Sequence, residues 1–157
     1  GNPTALAQFG SEVVPSIQRA SLLFGARGGL RLAPFSDHFY AVMRIVIGFL
    51  FIQHGTQKLF EFPGDVPHGI PDFVLYIAGP IELLGGFLVM IGLMTSWSAF
   101  FCSGLMAAAY WSTHGLNALL PIQNNGELSA VYCFVFLYIA SKGSGIWSVD
   151  AARSVRA

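Results

Sequence analysis

The chain alternates between long stretches with few polar residues and short connections dense in proline, glycine and acid. Four stretches approach the length of a membrane-crossing helix, which takes about 20 residues. The first covers residues 39–60, the second 73–94, the third 97–114, and the shorter fourth 127–141. Periodicity alone does not separate a lipid-facing helix from a buried one, so length decides. The first connection, FPGDVPHGIPD (62–72), packs three prolines and two glycines and reads as an irregular loop. Thr95 and Ser96 leave room only for a tight turn, LPIQNNG (120–126) makes the third connection, and KGSG (142–145) ends the fourth helix. Connections this short make neighbouring helices antiparallel. Within the second stretch, Pro80 is expected to kink the helix and free a carbonyl. The pattern predicts an all-α, integral membrane four-helix bundle.

Composition agrees with that reading. The 157 residues are about one domain. Hydrophobic residues make up 54% and charged residues 10%, against roughly 25% charged in ordinary globular chains. Mean hydropathy is +0.62. So few charges do not cover a soluble core, so the exterior is expected to face a lipid bilayer. The net charge is zero and the basic residues form no stripe interleaved with aromatics, so nucleic acid is not an expected partner.

The distribution of Lys and Arg gives the orientation, because both favour the cytoplasmic side. Arg19, Arg27 and Arg31 precede the first helix, and Lys142, Arg153 and Arg156 follow the last. The connection at 61–72 has Glu61, Asp65 and Asp72 but no Lys or Arg, and neither has the connection before the fourth helix. Both termini are therefore expected inside. Residues 1–38 form an N-terminal cytoplasmic or interfacial tail, 39–150 the four-helix domain, and 151–157 a C-terminal tail. The tail does not read as a secretory signal. Its segment IQRASLLFGARGGLRL (17–32) fits either a strip lying along the headgroups or a tail that orders against a partner.

Ionisable residues inside the apolar stretches carry the functional question. A central Arg, Lys or Asp costs about 2.5–3.5 kcal/mol on insertion scales. It survives by snorkelling, by pairing or by lining a watery cavity. Arg44 and Lys58 each sit near enough to an end of the first helix to snorkel, whereas His54 has no long stem. At about 100° per residue, Arg44, His54 and Lys58 fall within about an 80° arc, which favours a polar seam turned inward. Glu82, in the second helix, lies about 13 Å deep by helical rise, and His54 about 9 Å. Its short carboxylate has to be paired or protonated. Gly79, Gly85 and Gly86 let another helix approach there. His114 closes the third helix and Glu127 opens the fourth, both on the outer side. Arg44 stands apart, nearer the inner side, as a candidate anchor.

Other chemistries fit poorly. His54, His114 and Glu82 lack the close spacing of a helical metal motif, so no metal is expected. His54 and His114 sit at unequal depth for a bis-histidine haem, and no CxxCH attaches one. Cys102 and Cys133 differ by more than ~10 Å in expected depth, beyond disulfide reach, and read as small buried hydrophobes.

The order R…HG..KLF (44–60), AGPIELLGGFLVMIGL (78–93), His114, PIQNNGE (121–127) and GSGIWSVD (143–150) resembles the DoxX family over residues 39–150. Arg44, Gly55, Lys58, Glu82, Gly86, His114 and Glu127 match its pattern, and Gly145, Ser148 and Asp150 its closing motif. The resemblance implies a multi-pass protein of the cell inner membrane, in a family named after a subunit of a thiosulfate:quinone oxidoreductase. On this basis the leading expectation is a subunit of a quinone-linked oxidoreductase complex, binding quinone or relaying protons. Arg44, His54, Lys58, Glu82, His114 and Glu127 are the candidate ligand-binding or polar-seam residues. The alternative is a non-enzymatic accessory subunit docked to other membrane protein subunits. A small-solute or proton transporter is a third reading, weakened by the absence of an evident internal repeat.

Overall fold

A computed structural model describes residues 32–66 and 72–155. The interfacial reading of 17–32 therefore falls almost wholly outside the described residues. From Asp37 onward the chain packs as one unit, and all described regular structure is helical. A short 3-10 turn, Ala33–Phe35, precedes α1 (Ser36–Phe60). The second stretch is α2 (Asp72–Pro80), a π-helical turn (Ile81–Gly85) and α3 (Gly86–Ile91). The third is α4 (Thr95–Ala109), ending in a second π-helical turn (Tyr110–Gly115). A single turn, α5 (Pro121–Asn124), precedes α6 (Glu127–Lys142), and α7 (Val149–Ser154) closes the described chain. Ala33–Phe60 and Val74–Ile91 are the stretches long and apolar enough to cross a membrane among the described residues.

The inward face of α1 is written in alternating steps of four and three. Arg44, Gly48, Phe51 and Gly55 are all buried, and Lys58 continues the series. Such spacing keeps one seam of a helix against its neighbours. Glycine at two of these positions lets backbones touch. A Cβ on Gly48 would stand 2.7 Å from the Gly86 carbonyl oxygen and the Met90 amide nitrogen, and one on Gly55 would stand 2.5 Å from the Leu83 amide nitrogen. Gly48 facing Gly86 while Gly55 faces Leu83 means that α1 runs antiparallel to the α2–α3 stretch. Phe51, Val89, Ala99, Cys102, Met106, Tyr132, Phe136 and Ile139 then form one core drawn from α1, α3, α4 and α6.

The outward faces are apolar on every long helix. Val46, Phe49, Leu84, Phe87, Phe100, Phe101, Phe134 and Leu137 are all exposed. A water-soluble monomer rarely presents apolar surface on this scale.

The expected turn at Thr95 and Ser96 falls three residues earlier. Gly92 adopts φ +71, a left-handed conformation that glycine takes without a Cβ penalty. Thr95 and Ser96 already belong to α4. The shift has a cause further along the chain. The Asp150 carboxylate accepts hydrogen bonds from the Met94 and Thr95 amides and from the Thr95 hydroxyl, each at 3.1 Å, and so caps α4. The Asp150 amide in turn donates to Gly92 O at 3.0 Å. Partial burial pushes the Asp150 carboxyl up, but the Thr95 and Met94 amides, the Thr95 hydroxyl and the nearby Arg153 charge outweigh it and hold it below the usual range.

Arg44 ties the same region to α1. It is wholly buried, and its guanidinium donates to the carbonyls of Val89 (2.6 Å), Met90 (2.7 Å), Trp147 (2.8 Å) and Ile146 (3.4 Å). It does not snorkel; it pins the end of α3 and the segment before α7 to one point. Ser148 caps α7, its Oγ accepting from the Ala151 amide at 3.1 Å. The closing motif is thus a clip that holds three helix ends together.

Candidate functional site

At the opposite end of the unit, where α1 finishes and α6 begins, the helices diverge around a cavity of about 300 Å³. Phe51, His54 and Lys58 reach it from α1, and Ala78 and Glu82 from α2 and its π turn. Met106, Thr113 and His114 come from α4 and its π turn, and Ser129 and Tyr132 from α6. The two π turns each deliver a titratable side chain, Glu82 and His114. A π turn shifts the register of a helix by one residue and commonly occurs at functional positions. Pro80, which has no N–H to donate, stands at the head of the first one.

Lys58 and Glu82 are paired. Lys58 Nζ lies 2.6 Å from Glu82 Oε2, with the side chains 17% and 4% exposed. The pair neutralises both charges inside the apolar surroundings, which leaves the cavity wall without net charge from it. Lys58 has three donors and, among the described residues, uses one on Glu82, which leaves two N–H groups for the cavity wall. Gly79 and Gly55 permit this geometry by bringing α1 and α2 close.

His54 packs edge-on against the Tyr132 ring, with centroids 6.0 Å apart. Phe51, Tyr132 and Phe136 continue this aromatic wall, with Phe51 and Phe136 centroids 4.7 Å apart.

His114 is held from behind. Its Nδ1 lies 2.9 Å from the main-chain oxygen of Asn124. Asn124 is buried and fixed by its own side chain, which donates to Ala118 O (2.8 Å) and Tyr110 OH (3.3 Å) and accepts from the Gly126 amide (2.8 Å). A Cβ on Gly126 would fall 2.7 Å from the Tyr110 ring and 2.9 Å from His114 Cβ, so the PIQNNG loop closes tightly over the π turn.

Of the six residues singled out from sequence, four line the cavity: His54, Lys58, Glu82 and His114. Arg44 lies in the clip described above. Glu127 does not line the cavity; it is exposed in the first turn of α6, where its charge suits the helix N-terminus. Thr113, Ser129 and Asn124 were not foreseen as site residues. Among the described residues no group of three or more His, Cys, Asp and Glu side chains is placed to hold a metal ion.

Apolar outward faces, two stretches long and apolar enough to cross a membrane, and an apolar cavity carrying a few polar side chains give the described residues the character of a helical membrane-type protein. The sequence model of the DoxX family matches residues 39–115, and the chain belongs to that family. A Haemophilus influenzae protein called "Uncharacterized protein" is 39% identical over 125 residues, covering 76% of this chain and 93% of its own length. A Bacillus subtilis protein named "Putative oxidoreductase CatD" is 30% identical over 114 residues, covering 69% of this chain and 82% of its own. A second Haemophilus influenzae protein, also called "Uncharacterized protein", is 25% identical over 122 residues. No solved structure matches the chain.

Proposed function

We propose that the chain is a four-helix, multi-pass protein of the cell inner membrane that serves a quinone-linked oxidoreductase complex, its cavity receiving a quinone headgroup or passing protons. Both termini face the cytoplasm on the distribution of Lys and Arg. Exposed aromatic side chains support a transverse placement: Trp97 and Trp147 mark the end that carries the clip, and Trp111 the end that carries the cavity. Tryptophan favours both membrane–water boundaries. On this orientation the cavity lies towards the outer leaflet.

The single observation that carries the functional reading is the cavity itself. Its volume of about 300 Å³ is at the lower end of the range for small-molecule sites. A cavity of about 150 Å³ already admits benzene, so a substituted ring fits while an isoprenoid tail stays in lipid. The donor set matches too. Lys58 supplies N–H donors for a ring oxygen, and the Phe51 and Tyr132 rings supply flat apolar walls. A quinone would bring two-electron redox chemistry; the protein's part is to orient the ring and exchange protons at its oxygens through His54, His114 and the Lys58–Glu82 pair. The relative named as an oxidoreductase points in the same direction.

One observation favours the accessory-subunit reading: Lys58 and Glu82 satisfy each other, as a purely structural pair would. A titration separates the two. The chain reconstituted in lipid nanodiscs should bind a short-tail benzoquinone saturably, and Lys58→Met with Glu82→Leu should abolish binding while the helical circular dichroism signal persists. Absence of binding to the unaltered chain leaves the accessory role standing and removes the quinone reading.

A further inference from the structure

Building on that reading, we infer that the cavity discriminates between the oxidation states of its ring ligand, through His114, and holds the dihydroxy form in preference to the dicarbonyl form. The hydrogen bond behind the ring is the starting point. A main-chain carbonyl oxygen only accepts, so the contact between His114 Nδ1 and Asn124 O at 2.9 Å requires the proton on Nδ1. In the neutral imidazole, Nε2 is then a bare acceptor, and it is the ring nitrogen left for a ligand in the cavity. A hydroxyl can donate to it. A quinone carbonyl meets it lone pair to lone pair.

The other polar groups on the wall do not undo this preference; the Glu82 carboxylate, paired with Lys58, only accepts and works in the same direction. Lys58 donates only, and an oxygen of either ligand form accepts from it. The hydroxyls of Thr113, Ser129 and Tyr132 rotate to donate or accept, so they serve both forms. His54 has a ring contact with Tyr132 and, among the described residues, no hydrogen bond that fixes its tautomer. Among the cavity residues His114 alone has a tautomer imposed by the backbone. Asn124 acts here as a positioning residue. Its side chain spends its hydrogen bonds on Ala118, Tyr110 and Gly126, which holds its own carbonyl against the His114 ring.

The ligand is thus bound as a para-dihydroxy ring, one oxygen accepting from Lys58 and the opposite hydroxyl donating to His114 Nε2. This goes beyond the presence of a quinone site: it assigns the site to the reduced member of the couple.

The test is equilibrium binding to the nanodisc-reconstituted chain under argon, in buffer alkaline enough to keep imidazoles neutral. Three probes are compared: a tailless dimethoxy-methyl benzoquinol, the corresponding benzoquinone, and the dimethyl ether of the quinol. The quinol is expected to bind about five- to tenfold more tightly than the other two, the span of one well-made hydrogen bond. In His114→Gln, whose amide turns either end to the ligand, the ratio is expected to fall. Equal or weaker binding of the quinol by the unaltered chain overturns the inference while the quinone site stands. Binding of none of the three overturns the site and the inference together. Should His114→Gln not fold, the comparison of quinol with its dimethyl ether on the unaltered chain decides alone.

Discussion

Glu82 Oε2 and Lys58 Nζ meet at 2.6 Å across the closest approach of α1 to the π turn that follows Pro80, with Glu82 almost completely enclosed. They stand 24 residues apart in the chain, and the glycines of both helices bring the backbones close enough for the side chains to meet. The pair closes the polar seam of α1.

Breaking that pair should cost more than removing it. Glu82→Leu alone leaves the Lys58 ammonium uncompensated among apolar groups, and truncating one partner of a buried ion pair destabilises by about 3–5 kcal/mol. Lys58→Met together with Glu82→Leu is expected to recover most of the loss, since a well-packed apolar pair often replaces a buried ion pair at little cost. Thermal unfolding in detergent, read as a double-mutant cycle, checks this. Additive losses in the double variant would show that the two side chains do not depend on each other.

The glycine seam makes a contrasting pair of predictions. Gly48→Ala places a methyl 2.7 Å from backbone atoms of Gly86 and Met90, which cannot turn aside as a side chain can. It should destabilise by about 1–3 kcal/mol or more. At Gly104 a Cβ meets nothing within 4 Å, so Gly104→Ala should be neutral or stabilise by up to about 1 kcal/mol through backbone entropy. Melting temperatures of the two variants under the same detergent conditions give the comparison. Similar losses in both would mean that the backbones of α1 and α3 do not touch at Gly48.

Much of this arrangement is legible in the chain, and what is not has physical reasons. Apolar run length locates the long helices to within a few residues, because burial of a continuous stretch leaves a continuous record. Helical phase places Arg44, His54 and Lys58 on one side of α1, but phase does not say which partner each meets. Glu82 finds Lys58, while His54 turns its ring to Tyr132. Arg44 finds four carbonyls, two of them more than 100 residues away. That contact depends on the return of the GSGIWSVD segment, which no local spacing encodes. The π turns are equally silent in sequence apart from Pro80. Asn124 had a usable signal: an Asn two residues before a glycine, in a loop that must seal a helix end, commonly bonds its own backbone.

Arg44 should not tolerate even a conservative change. A guanidinium offers five donors in a fixed fork, and an ammonium three on a single nitrogen. Arg44→Lys would leave one or more of the Val89, Met90, Ile146 and Trp147 carbonyls unmet. A hydrogen bond to a charged group is worth about 1.5–3 kcal/mol. Besides the lower melting temperature, limited proteolysis is expected to cut within residues 143–155 of the variant under conditions that leave the unaltered chain whole. Unchanged protection of that segment would show that the clip holds without Arg44.

The clip should also give stability a dependence on acid. The Asp150 carboxyl is held below the usual carboxylate range because its ionised form accepts the Met94 and Thr95 amides and the Thr95 hydroxyl. The unfolded chain therefore binds the proton more readily than the folded one at this position, and stability rises with pH across the interval between the two pKa values. The contribution is complete above the unfolded value, near 3.9 for an ordinary Asp, and disappears as pH falls through the lower folded value. Asp150→Asn keeps one accepting oxygen but puts an amide donor where the other oxygen accepts. It should lower stability at neutral pH by about 1 kcal/mol, as for loss of a helix cap, and should flatten this part of the acid profile. Melting temperature measured between pH 2.5 and pH 6 for both proteins reads the effect. Parallel acid profiles for the two would show that α4 is not capped through the ionised Asp150 carboxylate.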